Sequence, residues 1–141
     1  MSPSLLHAHG QVNRLRILLA EDSQVYEILA MKILRFYGGH RVCVITKSSE
    51  AADLLEREQI DLAVIDLQMA GQEAVQTAEC IRSHDASAGG KTPIIGISGN
   101  DLPGQEQLCT EAGMDYYVAR PFVSDHLSRQ VKQLAEQLNQ A

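Results

Sequence analysis

Asp66 ends the apolar run Leu62-Ala63-Val64-Ile65 and is followed by Leu67-Gln68-Met69-Ala70-Gly71. Three other apolar runs also end in a change of chemistry. Ile17-Leu18-Leu19-Ala20 leads into Glu21-Asp22, Ile94-Ile95-Gly96-Ile97 into Ser98, and Tyr117-Val118-Ala119 into Arg120. Three acids, a hydroxyl and a cation thus stand where apolar runs stop. A carboxylate can attack phosphorus and form an aspartyl-phosphate. The attack places charge on the phosphoryl oxygens, and a Mg²⁺ ion held by one or two carboxylates neutralises it. A protein cation adds to that effect, and a hydroxyl can hydrogen-bond a phosphoryl oxygen. In this chemistry Asp66 is the nucleophile, Glu21 and Asp22 form the metal side, Ser98 is the hydroxyl and Arg120 the cation.

These residues can cooperate only if the runs are neighbouring strands. Each run is too short for a helix and reads as a buried parallel strand. In open α/β sheets the ligand site lies outside the carboxyl ends of the strands, which is where these residues fall. Helical patterns separate the runs. The first helix starts after Asp22 or Ser23 as N-cap. Its apolar stripe is Val25, Leu29, Ile33 and Phe36, and Gly38-Gly39 stops it. Arg41–Ile45 is the second strand. Ser48 or Ser49 caps a second helix with Ala51, Leu54 and Leu55 inward. The third helix begins near Gln72 and buries Ala74, Ala78 and Ile81. The stretch Ser83–Thr92, rich in Gly, Ser and Ala, reads as a flexible surface loop. Asp101-Leu102-Pro103 starts a weakly apolar fourth helix, which has few buried contacts and is a candidate mobile element. The last helix, about Ser124–Asn139, turns Leu127, Val131, Leu134 and Leu138 to one face. Five strands alternating with five helices predict a parallel sheet covered on both faces.

The chain has 141 residues, of which 45% are hydrophobic and 21% charged, which suits one domain with a full core. Residues 1–13 read as a flexible lead-in without a signal peptide, and 14–141 as the domain. His7 and His9 lie in that lead-in, and two ligands alone make no metal site. The net charge of −6 argues against a nucleic-acid surface. No apolar stretch is long enough to span a bilayer. Cys43, Cys80 and Cys109 are scattered and read as small buried hydrophobes in a reducing, cytoplasmic setting.

The pieces Ile17-Leu18-Leu19-Ala20-Glu21-Asp22-Ser23, Val64-Ile65-Asp66-Leu67-Gln68-Met69, Pro93-Ile94-Ile95-Gly96-Ile97-Ser98 and Ala112–Phe122 resemble the receiver domain of two-component response regulators. The stretch from Thr92 to Phe122 is most similar to receivers of hybrid sensor kinases. The resemblance covers about Leu15 to Leu138. It implies a flavodoxin-like (α/β)₅ sandwich with strand order 2-1-3-4-5. It makes Asp66 the phosphoacceptor, with Asp22, Glu21 and the Gln68 backbone carbonyl on the Mg²⁺ side. Ser98 becomes the switch hydroxyl and Tyr117 the switch aromatic. It implies a histidine kinase or histidine phosphotransfer domain as partner, allows a weak homodimer, and limits catalysis to self-phosphorylation and autodephosphorylation. The chain departs from the family pattern in three places. Arg120 replaces the usual lysine, Ala70 the usual proline after Met69, and Glu73-Ala74 the usual Asp-Gly.

Two further readings compete with the phosphoacceptor receiver. A pseudo-receiver would keep the fold as an interaction module that phosphate does not switch, and Arg120 favours it. An aspartyl-phosphate hydrolase of the haloacid dehalogenase type would want an acid two positions after the nucleophile. That position is Gln68.

Overall fold

The computed structural model describes residues 14–98, 103–119 and 124–140. Five strands, β1 (Arg16–Ala20), β2 (Arg41–Ile45), β3 (Leu62–Asp66), β4 (Ile94–Ile97) and β5 (Tyr116–Val118), form one sheet in the order β2-β1-β3-β4-β5. All pairings are parallel. The central strand β3 is buried at every residue, as a parallel strand covered on both faces must be.

Alternation along the strands sends side chains to two cores. Ile17, Leu19, Leu62, Val64, Ile95 and Ile97 pack with α1 (Gln24–Met31) and α5 (Ser124–Gln140), through Ala30, Leu127, Val131 and Leu134. Leu18, Ala20, Ala63, Ile65 and Ile94 pack on the other face with α2 (Ala51–Arg57), α3 (Glu73–Ala88) and α4 (Gln105–Glu111). The expected inward residues of α2, α3 and α5 are buried, except that Leu138 is only partly so.

Helix α1 corrects the sequence reading. Ser23 is its N-cap, its side chain accepting from Tyr26 N–H at 3.4 Å. The predicted stripe, however, faces outward. Val25 is 65% exposed, Leu29 38% and Phe36 83%, while Ile33 alone of the four is buried. Ala30, Ile33 and Leu34 face the sheet instead. The helix has two apolar rows, and small Ala30 sits on the row that approaches the strands. Beyond Met31 it widens into a π-helical turn, Lys32–Tyr37, whose carbonyls Ile33 and Leu34 accept from Gly38 and His40 N–H.

Two further boundaries differ. Neither Ser48 nor Ser49 caps α2. A 3₁₀ turn, Ser48–Glu50, precedes it, and Glu50 closes that turn by accepting from Thr46 and Lys47 N–H. The expected loop Ser83–Thr92 is helical as far as Ala88, with Gly89 in the left-handed conformation (φ 81°) ending α3. A network holds this last turn. Arg82 donates to Thr92 O, Gly113 O, Asp85 and Asp115, and buried Asp85 accepts from Thr92 N–H and Oγ1–H. Helix α4 begins at Gln105, after Pro103 and a Gly104 N-cap. Asp101 and Leu102 lie outside the described residues, as do His7, His9 and the rest of 1–13. No described helix is long and apolar enough to cross a membrane.

Gly96 on β4 lies against helix α4 and the approach to β5. A Cβ there would meet Cys109 Sγ at 2.8 Å, Met114 Sδ at 2.9 Å and Leu67 Cδ2 at 3.3 Å. Gly96→Ala overpacks this core, at a cost of about 1–3 kcal/mol. Denaturant melts should show it as a lower midpoint with an unchanged slope. Cys109 is buried, whereas Cys43 and Cys80, expected to be buried too, are only partly covered. All three are free thiols.

Candidate functional site at the carboxyl edge of the sheet

Strand register brings the acids together. Ala20 pairs with Ile65, so Glu21 and Asp66 follow side by side on adjacent strands. Glu21 N–H extends the edge by donating to Ile45 O at 3.0 Å. Asp66 pairs with Ile97, the residue before Ser98. Ser98 N–H donates to Val118 O at 3.1 Å, continuing the sheet by one bond, and Ser98 is fully buried.

Glu21, Asp22 and Asp66 each offer a carboxylate oxygen within 4.8 Å of the others. Glu21 is 1% exposed and Asp66 5%, while Asp22 is exposed. Each accepts one backbone N–H: Glu21 Oε1 from Ser23 at 3.1 Å, Asp66 Oδ1 from Gln68 at 2.9 Å, and Asp22 Oδ2 from Ala70 at 3.1 Å. These bonds fix how the carboxylates point. They do not remove the repulsion between them. Burial first, then the neighbouring Asp66, push the Glu21 carboxyl up to about 8, against the pull of the Ser23 N–H.

A divalent cation fits this arrangement. Glu21 Oε2 is buried and has no hydrogen-bond partner among the described residues, and three hard oxygen donors surround the same small volume. Mg²⁺ is a hard cation that prefers oxygen ligands and is commonly held by one or two carboxylates.

The other residues singled out in the sequence lie around this centre. Gln68 is exposed, with its N–H committed to Asp66. Tyr117 is half-buried, pairs with Gly96, and packs against the core beneath α3 and α4. Arg120 lies outside the described residues. The sequence reading missed two contacts, one in the β3–α3 loop and one at the first residue of α3. One is the Ala70 bond to Asp22, whose signal was the absence of proline at position 70. The other is Glu73, whose Oε2 accepts from Ser48 N–H at 2.6 Å and ties α3 to the β2–α2 loop.

A doubly wound parallel sheet with three carboxylates clustered at its carboxyl edge defines a flavodoxin-like domain. Residues 17–132 match the response regulator receiver domain family; the chain belongs to that family and is a receiver domain of phosphorelay signalling. It is 26% identical over 134 residues to the sensory/regulatory protein RpfC of Xanthomonas campestris pv. campestris, covering 95% of this chain and 18% of that protein. The chain thus spans less than a fifth of that relative. Among solved structures, it is similar to the receiver domain of the sensor histidine kinase PA1611 from Pseudomonas aeruginosa. The TM-score is 0.74 at 28% identity, covering 86% of this chain and 98% of that one, and that structure has a magnesium ion coordinated in its active site cleft. The fold is also that of the Saccharomyces cerevisiae Ssk1 receiver, solved with the histidine phosphotransfer protein Ypd1. Its TM-score is 0.75 at 16% identity, covering 86% of this chain and 89% of that one.

Proposed function

We propose that Asp66 accepts a phosphoryl group from a phosphohistidine on a histidine kinase or histidine phosphotransfer domain. The observation that carries this reading is the cluster of Glu21, Asp22 and Asp66 at the ends of adjacent strands. The Gln68 N–H holds Asp66 Oδ1 and leaves Oδ2 as the attacking oxygen. A bond forms from Oδ2 to phosphorus. The bond from phosphorus to the donor's imidazole nitrogen breaks, and its electron pair stays on the imidazole. Glu21, Asp22, Asp66 and the Gln68 carbonyl would hold Mg²⁺, which supplies charge neutralisation to the phosphoryl oxygens. Arg120 keeps its charge at any working pH and can meet an oxyanion with two N–H groups. Ser98 is the hydroxyl that a phosphoryl oxygen draws in, and Tyr117, one strand over, is the aromatic that follows it. Slow loss of the group to water resets the domain.

The docking surface for the donor is the outward row of α1. Val25, Ile28, Leu29 and Phe36 expose an apolar strip on the helix that starts directly after Asp22. An apolar strip of this kind marks an interaction site, and its continuity with the carboxylates suits a partner that must present a phosphohistidine to Asp66.

Incubation with acetyl phosphate and Mg²⁺ is expected to add the mass of one phosphoryl group to the intact chain, and Asp66→Asn to abolish that gain. No gain in the unsubstituted chain would favour an interaction module that phosphate does not switch. A gain that survives Asp66→Asn would place the acceptor elsewhere.

A further inference from the structure

Among the described residues three backbone N–H groups hold the site's carboxylates, and two of them are local. Ser23 bonds Glu21 and Gln68 bonds Asp66, each across two residues. The third joins two loops, because Ala70 N–H donates to Asp22 Oδ2 across 48 residues. It pins the β3–α3 loop to the start of α1. Proline, the usual residue at this position in the family, carries no N–H and cannot make this bond.

We infer that Ala70 is a positioning residue for the cation site. Its N–H holds Asp22 in the orientation that cation binding needs and couples occupancy of the site to the β3–α3 loop. Asp22 is the exposed member of the cluster, so its carboxylate has the most freedom to lose when a cation arrives. A hydrogen bond that orients a metal-ligating carboxylate raises affinity by removing that loss, and such outer contacts typically change metal affinity about tenfold or more. The inference rests on the proposed Mg²⁺ site.

The test is Mg²⁺ titration of the full chain by calorimetry and amide NMR, comparing the unsubstituted protein with Ala70→Pro and Ala70→Gly. Ala70→Pro, which removes the donor, is expected to weaken Mg²⁺ binding about tenfold. Ala70→Gly, which keeps it, should bind within about twofold of the unsubstituted chain. A merely structural role would lower the melting temperature without Mg²⁺ and leave the affinity alone. Proline also restricts Met69, so a measurement on the unsubstituted chain stands beside the variants. There the Ala70 amide should exchange slowly and its resonance should move as Mg²⁺ is added. Equal Mg²⁺ affinity in all three chains, or a fast-exchanging Ala70 amide indifferent to Mg²⁺, overturns the inference while leaving the Mg²⁺ site standing. No Mg²⁺ binding by the unsubstituted chain overturns both.

Discussion

Between pH 6.5 and 8, the metal-free chain is expected to lose stability as the pH rises, and Mg²⁺ is expected to restore it. The cause is Glu21, whose carboxyl is raised from 4.5 to about 8 by burial and by Asp66. The folded chain keeps this proton up to about pH 8, whereas the unfolded chain releases it near 4.5. Stability therefore falls with pH wherever the folded state binds more protons. The contribution is fullest below 4.5 and is progressively lost between 4.5 and 8. His40 acts in the opposite direction and in another range. Burial lowers its pKa below 6.5, so its contribution is present above 6.5 and lost as the pH falls. Glu50 and Glu73 are lowered, and their effects lie below 4.5. Burial also raises Asp61 from 3.8, in the same direction as Glu21, so the comparison with Glu21→Gln is what isolates Glu21 in the window from 6.5 to 8. A cation bound by the cluster displaces its proton, so apparent Mg²⁺ affinity should also rise towards pH 8. At tenfold its dissociation constant the ion adds about 1.4 kcal/mol, a few degrees in melting temperature for a domain of this size. Glu21→Gln should flatten the melting temperature across this window, and Asp22→Ala should remove the Mg²⁺ effect. A flat profile in the unsubstituted chain, or the same slope in Glu21→Gln, contradicts this assignment of the buried charge.

The second large effect concerns phosphotransfer between proteins. Ile28 is 66% exposed on the outward row of α1, so Ile28→Asp should leave the melting temperature nearly unchanged. At the centre of an apolar interface an anchor residue is worth roughly 2 kcal/mol or more. An unpaired carboxylate placed there adds a desolvation cost. Loading from a phosphorylated histidine phosphotransfer protein that serves the unsubstituted chain should therefore slow about thirtyfold at limiting donor. Loading from acetyl phosphate needs no docking surface and should keep its rate. Equal slowing with both donors would mean that the substitution reached Asp66 itself. No slowing with either would remove α1 as the docking face.

The sheet and its acids were legible because both rest on short-range signals. An apolar run that ends in Asp66 or Glu21-Asp22 states where a buried strand stops, and parallel register then forces those ends together. Helix α1 was misread because it carries two apolar rows, and periodicity alone does not say which one the sheet covers. The row with Ala30 and Leu34 packs inward, while the row with Val25 and Phe36 remains outside. The end of α3 was misread for a different reason. Glycine, serine and alanine between Ser83 and Thr92 suggested a loop, but the Arg82–Asp85–Thr92 network holds a helix there. The missing proline at position 70 left an N–H free to donate, but its acceptor, Asp22, lies 48 residues away and is set by the loop fold, not by a local pattern.

The phosphoryl group is expected to reside on one residue. Borohydride reduces an aspartyl-phosphate to homoserine. Treating the acetyl phosphate-loaded chain with borohydride and sequencing its fragments by mass spectrometry therefore marks the acceptor directly. Homoserine at position 66 alone, dependent on Mg²⁺, is the expected result. Homoserine at position 22, or an unmodified position 66 in a chain that has gained phosphate, would contradict the account.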